Sequence, residues 1–260
     1  MVKLKVQDVK FSYASVPILK DVCIELANSE VLGVVGPNGA GKSTLIRCID
    51  RILMPQEGCI LLDDLDIKKL RLMELAKKMG YIPQSTSQVF PATVFDTVLM
   101  GRRPHIGWKS SDEDTEKVLE TLKLMDIEDL AMRDINELSG GQQQKVFIAC
   151  ALTQEPEVLL LDEPTSNLDI RHQLEVLDII RKIVNERGIS AIMAIHDLNL
   201  AARYTDRIII MNSGTIFAAG EPFSVLTTEN IKQAYGVEVE VNVHGGKPYI
   251  VPIRPVGKKL

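Results

Sequence analysis

The sequence predicts an α/β protein with a parallel-sheet core, an antiparallel β subdomain ahead of it and a helical subdomain inserted into it. Three observations carry this. Val31-Leu32-Gly33-Val34-Val35, Val158-Leu159-Leu160-Leu161, Ala191-Ile192-Met193-Ala194-Ile195 and Ile208-Ile209-Ile210-Met211 are short continuous apolar runs, the texture of parallel strands covered on both faces. Leu4 and Val6, then Val9, Phe11 and Tyr13, and later Val22, Ile24 and Leu26 alternate with polar residues, as half-buried antiparallel strands do. Between the first two apolar runs, from about Asp96 to Gln154, the texture turns helical. There Ser111-Asp112-Glu113-Asp114 reads as a capping box, and Val118, Leu119, Leu122 and Met125 recur at helical spacing. Three of the four runs end in polar residues, at Gly36, at Asp162-Glu163 and at His196-Asp197. In open α/β sheets ligands bind beyond the carboxyl ends of the strands, so these ends are the expected site.

Residues 1–220 are expected to form the main domain, with the helical insert at about 85–156. Residues 221–260 form an extension, with a helix over Thr228–Tyr235 and a hairpin turning at His244-Gly245-Gly246. A valine-faced hairpin of this kind is expected to seal the edge of the core.

The composition is globular, with 260 residues, 45% apolar and 25% charged. This excludes disordered and fibrous classes and leaves enough chain for a full core. Thirty basic residues stand against 35 acidic ones, a net charge of −5, which argues against nucleic acid as a partner. Cys23, Cys48, Cys59 and Cys150 lie scattered without metal-ligand spacing and read as buried thiols. The polar–apolar alternation of the first six residues does not resemble a signal peptide, and a reducing cytoplasm is the expected setting. No apolar run approaches the roughly 18 residues of a membrane span, so a membrane function would need other subunits to cross it.

Gly36-Pro37-Asn38-Gly39-Ala40-Gly41-Lys42-Ser43-Thr44 fits G-x-x-x-x-G-K-[ST] and sits between a buried strand and a helix, the context that a phosphate-binding P-loop requires. Its glycines let backbone N–H groups turn around phosphate oxygens, and the helix N-terminus adds positive partial charge. Lys42 is expected at the β- and γ-phosphates, and Ser43 at Mg²⁺ through its hydroxyl. The run ending at Asp162 delivers a carboxylate to the same cation, and adjacent Glu163 is placed to polarise a water for attack on the γ-phosphate. The pair points to hydrolysis.

Leu138-Ser139-Gly140-Gly141-Gln142, directly before a helix expected over Gln143–Gln154, resembles the signature of the ATP-binding cassette (ABC) ATPases. The resemblance spans roughly Leu4 to Gly220 and implies a P-loop NTPase core. It also implies that Ser139, Gly140, Gly141 and Gln142 bind ATP in trans, in a two-fold head-to-tail homodimer closing around two nucleotides. By the same resemblance Tyr13 stacks on adenine, Gln84 touches Mg²⁺ and the attacking water, and His196 contacts the γ-phosphate. Asp169, in Ser166-Asn167-Leu168-Asp169, communicates across the dimer; Asn167 departs from the small residue more common there. His172 reads as helix surface and His244 as a turn residue.

A cassette chain without membrane spans resembles an importer subunit. The stretch Val94 to Trp108 resembles that of iron-siderophore, haem and cobalamin importers, and Arg102, Arg103, His105 and Trp108 suggest a docking surface for membrane partners. The implied function is an ATPase that powers uptake of a metal chelate, using ATP and Mg²⁺, at the cytoplasmic face of the membrane. Its implied partners are polytopic permease subunits and, indirectly, a solute-binding protein. The alternatives are an importer ATPase for free metal ions and a stand-alone soluble cassette ATPase.

Overall fold

The computed structural model describes residues 2–84, 91–107 and 109–257. Along the chain run β1 (Val2–Tyr13), β2 (Val16–Ala27), β3 (Val31–Val35), α1 (Lys42–Ile49), β4 (Glu57–Leu62), β5 (Leu65–Asp66), α2 (Leu72–Lys78) and β6 (Met79–Ile82). There follow α3 (Val94–Met100), α4 (Asp112–Leu124), α5 (Gly140–Thr153), β7 (Val158–Asp162), α6 (Ile170–Arg187) and β8 (Ser190–Ala194). The last part comprises α7 (Leu198–Tyr204), β9 (Arg207–Asn212), β10 (Thr215–Gly220), α8 (Pro222–Val225), α9 (Thr228–Tyr235), β11 (Val237–His244) and β12 (Lys247–Pro255). These elements divide into two compact units, Met1–Lys68 with Ser190–Leu260, and Lys69–Ile189.

In the first unit, β1 and β2 pair antiparallel, with Val6 opposite Ile24 and Val9 opposite Val22, and β4 flanks β1 on its other edge. The alternation of the sequence becomes an inward face of Leu4, Val6, Val9 and Leu26, each at most 2% exposed. β3 lies between β8 and β9 and runs parallel to both. All five residues of β3 and all five of β8 are buried, which is why these strands read as unbroken apolar runs.

The extension after Gly220 packs within this unit. Asn199 of α7 ties its hairpin down: its Oδ1 accepts from the Ile250 N–H at 2.7 Å and its Nδ2 donates to the Ile250 carbonyl at 3.1 Å. Val239 and Ile250 are buried, whereas Val243 is 69% exposed, so the valine stripe covers the unit only along part of its length.

The second unit holds the parallel pair β6 and β7, with Tyr81 opposite Leu160, and the helices α2 to α6. The Ser111 capping box opens α4: the Ser111 hydroxyl accepts from the Asp114 N–H, and the Asp114 carboxylate accepts from the Ser111 N–H. Buried Val118 and Leu122 form the inner face of α4, with Met125 just beyond its end.

Two expectations need correcting here. Arg102 is not part of a docking surface. It is 4% exposed, and its guanidinium donates to Asp114 at 2.9 Å, to the Thr153 carbonyl at 2.9 Å and to Glu155 at 2.8 Å. His105 likewise turns inward, with Nε2 2.8 Å from the Gln154 carbonyl, and only Arg103 of the three is exposed. Trp108 lies outside the described residues. As for the cysteines, Cys48 alone is buried; Cys23 is exposed and bonded to Asp8, and Cys59 and Cys150 are half-buried. Burial pushes the Cys48 thiol up to about 12 and the Cys150 thiol to about 11, so neither is a thiolate at neutral pH.

The Arg102–Asp114 pair fixes the entry of α4 and carries a stability prediction. The Ser111 N–H, together with the Arg102 guanidinium, holds the Asp114 carboxyl below its usual range. A depressed carboxyl contributes stability above its unfolded-state pKa and loses it as pH falls through the folded value, here below about pH 4. Arg102→Ala strips the pair of its cation inside the unit and is expected to cost about 3–5 kcal/mol. Urea unfolding at neutral pH and at about pH 3 checks both statements, and a variant matching the parent at both pH values would refute them.

Candidate active site

Each unit gathers its chemistry at the carboxyl ends of its parallel strands. In the first, β3 runs into the P-loop and the neighbouring β8 runs toward His196, with the Ile195 N–H donating to the Val34 carbonyl at 3.1 Å. The strand pairing therefore sets the loop and the histidine side by side.

The loop's glycines are demanded by its path. Gly36 has φ +151°, and a Cβ there would stand 2.2 Å from the Met211 carbonyl oxygen, so only glycine fits. Gly41, at φ 102°, is the N-cap of α1, and no side chain caps that helix, which leaves its first turn facing the loop. Asn38 and Gly39 form the exposed tip, Pro37 carries a carbonyl that accepts from the Ala40 N–H, and Ala40 and Thr44 are buried beneath. The Lys42 ammonium, 5% exposed, donates to the carbonyls of Gly36 at 2.8 Å and Pro37 at 3.2 Å. It is thus held over its own loop.

Tyr13 ends β1 with its ring 45% exposed and edge-on to Phe11, 4.9 Å between centroids. It is a surface ring available for stacking rather than an inward core residue. His196 is exposed at the rim of a cavity of about 310 Å³ whose walls include Asn199, Ile231, Tyr235 and Ile250. Tyr235 belongs to no sequence motif; its hydroxyl is buried beside the Gly36 N–H, and burial pushes its pKa far up.

In the second unit, β7 ends in Asp162, fully buried, and Glu163, 7% exposed. β6, parallel beside it, leads to Gln84, whose side-chain amide donates to the Glu163 carboxylate. The Ser166 hydroxyl donates to the carbonyls of Glu163 at 2.9 Å and Gln84 at 3.3 Å, locking the two loop backbones together. Glu163 has φ 56°, a strained backbone for a side chain of this size, as is common where a group must be aimed. Asn167 has φ 63°, and asparagine tolerates that left-handed conformation better than most residues.

The signature begins one residue before α5. Ser139 is the N-cap: its hydroxyl accepts from the Gln142 N–H at 3.4 Å and the Gln142 side-chain oxygen accepts from the Ser139 N–H at 3.0 Å. Gly140 and Gly141 are the first two residues of the helix, not a loop before it. Asp169 caps α6, accepting from the His172 N–H at 2.9 Å. His172 is not free helix surface: its Nδ1 lies 2.8 Å from the Asp169 carboxylate and its ring packs on Gly141.

Among the described residues, no cluster of three His, Cys, Asp or Glu could hold a metal by itself. No helix among them is long and apolar enough to cross a membrane.

Residues 19–166 match the ABC transporter family. An uncharacterized ABC transporter ATP-binding protein of Methanocaldococcus jannaschii is 51% identical over 96% of this chain and 98% of its own length. A petrobactin import ATP-binding protein of Bacillus anthracis is 37% identical over 93% of this chain and 89% of its own. A cobalamin import ATP-binding protein of Halobacterium salinarum is 39% identical over 92% of this chain, the match spanning 60% of that longer protein. Among solved structures, the inward-facing conformation of a metal-chelate type ABC transporter superimposes with a TM-score of 0.85 at 28% identity, covering 97% of both chains. A P-loop, a strand-end Asp-Glu pair and a capped signature helix, in a chain matched along nearly its whole length by transporter ATP-binding proteins, mean that it belongs to the ABC transporter family as an ATP-binding, ATP-hydrolysing subunit.

Proposed function

We propose that the chain powers a membrane importer of metal chelates, two copies closing head-to-tail around two ATP molecules and driving polytopic permease partners from the cytoplasmic face. A solute-binding protein would deliver the cargo. The chelate class is supported by the likeness to the cobalamin and petrobactin import proteins and to the metal-chelate type transporter. The hydrolytic reading rests above all on the buried Glu163 carboxylate, held by Gln84 next to Asp162.

In this reading the γ-phosphate oxygens displace the Gly36 and Pro37 carbonyls as acceptors for Lys42, and the first turn of α1 donates backbone N–H groups to the phosphates. Ser43, Gln84 and Asp162 offer hydroxyl, amide and carboxylate oxygens, the hard donor set that suits Mg²⁺, which would neutralise charge on the phosphates. Glu163 accepts the proton of the attacking water, oriented by the Gln84 amide. His196 donates to the γ-phosphate, Tyr13 stacks on the adenine, and Ser139, Gly140, Gly141 and Gln142 complete the site of the opposite copy. Asp169 communicates between the copies.

The test is capture of tagged Glu163→Gln protein, with ATP, from detergent-solubilised membranes of its native cell. Retention of a polytopic membrane protein is expected. Recovery of the chain alone, or with ribosomes, would overturn the importer reading in favour of a soluble ATPase.

A further inference from the structure

Gly140 and Gly141 stand next to each other at the start of α5 and differ in what surrounds them. A Cβ built on Gly140 meets nothing within 4 Å. One built on Gly141 would lie 2.5 Å from Cδ2, 2.7 Å from Cγ and 3.1 Å from Nε2 of His172. The backbone of Gly141 is ordinary helix, where alanine is intrinsically better than glycine, so backbone conformation does not explain this glycine. The imidazole does: its Cγ–Cδ2 edge occupies the volume of a side chain.

The ring is fixed from its other side. The His172 backbone N–H donates to Asp169 Oδ1 at 2.9 Å, and Nδ1 lies 2.9 and 2.8 Å from Oδ1 and Oδ2. Hydrogen bonds from the His172 backbone N–H and from the His172 ring hold the Asp169 carboxyl below its usual range, so it is an anion that only accepts. Nδ1 therefore carries the proton, and both ring tilt and tautomer follow. One turn further along, Lys145 of α5 meets Glu175 of α6 at 3.3 Å, so the two helices are tied a second time.

We propose that His172 is a positioning residue: anchored by Asp169, its ring fills the place of a side chain at Gly141 and so sets where the N-terminal turn of α5 stands relative to the Asp169 loop. Resting on the reading of Ser139 and Gly140 as acting on the opposite copy's nucleotide, this gives the two glycines separate duties. Gly140 keeps the outer surface clear for phosphate, and Gly141 makes room for the ring. Movement of Asp169 is then transmitted through a rigid imidazole to the signature turn.

The experiment is a double-substitution cycle read by melting and by ATP turnover of the full chain. Gly141→Ala is expected to lower the melting midpoint by about 2–8 °C, because the added methyl meets the ring, and Gly140→Ala to leave it in place. Adding His172→Ala to Gly141→Ala should restore much of that loss. In turnover, His172→Ala should lower kcat by about 10- to 100-fold with the KM for ATP little changed. His172→Asn, whose amide can still donate to Asp169, should recover part of it. Additive melting shifts would overturn the contact, and wild-type kcat for His172→Ala would overturn the positioning role. If Ser139→Arg proves active, the reading in trans falls, while the melting cycle still decides the His172–Gly141 contact.

Discussion

Glu163→Gln is expected to bind ATP, to lose turnover by about 10²–10⁴-fold and to accumulate as a nucleotide-bound dimer. The substitution is nearly isosteric, and the glutamine oxygen can still accept from the Gln84 amide that now meets the carboxylate. The backbone, with its left-handed φ and the Ser166 bond to the carbonyl, is untouched. What goes is the negative charge that draws a proton from water. The phosphate loop is a separate construction, built from Gly36 to Thr44 at the end of β3, so affinity should survive. Single-turnover hydrolysis, nucleotide binding and sedimentation with ATP measure the three parts. Near-normal turnover would remove Glu163 from its role.

The second large effect is expected from Ser139→Arg, which should lower turnover more than about 100-fold while the isolated chain keeps its ATP affinity. Ser139 is exposed and opens α5 through a reciprocal pair of bonds with Gln142. Losing a cap of this kind costs about 1 kcal/mol, too little to unfold the unit. The arginine, however, sets a bulky cation on the surface proposed to meet the opposite nucleotide. Ser139→Ala separates the two contributions, since it removes the cap without adding bulk. Equal loss of ATP binding by the isolated chain and of turnover would place the signature within its own chain's site.

The sequence was legible where a local rule has one solution. Buried parallel strands need apolar residues on both faces, so β3, β7, β8 and β9 stood out as runs. Gly36 is legible through the G-x-x-x-x-G-K-[ST] spacing after a buried strand, and its φ and the nearby Met211 carbonyl show why only glycine stands there. Misreadings arose where the deciding neighbour is distant in sequence. Arg102 looked like surface charge, and only Asp114, Thr153 and Glu155, up to 53 residues away, bury and neutralise it. His172 carries a local sign, an aspartate three residues earlier at the cap of α6. Its packing on Gly141 across two helices had no local sign. The helix expected over Gln143–Gln154 starts three residues earlier, at Gly140, and the sign for this is local, since Ser139 and Gln142 have the spacing of a capping box.

The Asn199 clasp has a bearing on solubility. Its amide offers one acceptor and one donor to the N–H and carbonyl of Ile250, the same pair that a neighbouring strand would offer. A lone two-stranded hairpin has two open edges, and unpaired backbone along such an edge is a template for joining other chains. With the clasp in place, β12 meets a side chain that imitates a strand one residue long and cannot be extended. Leucine at this position would return Ile250 to an open edge, and the hairpin would become a place where copies could stick.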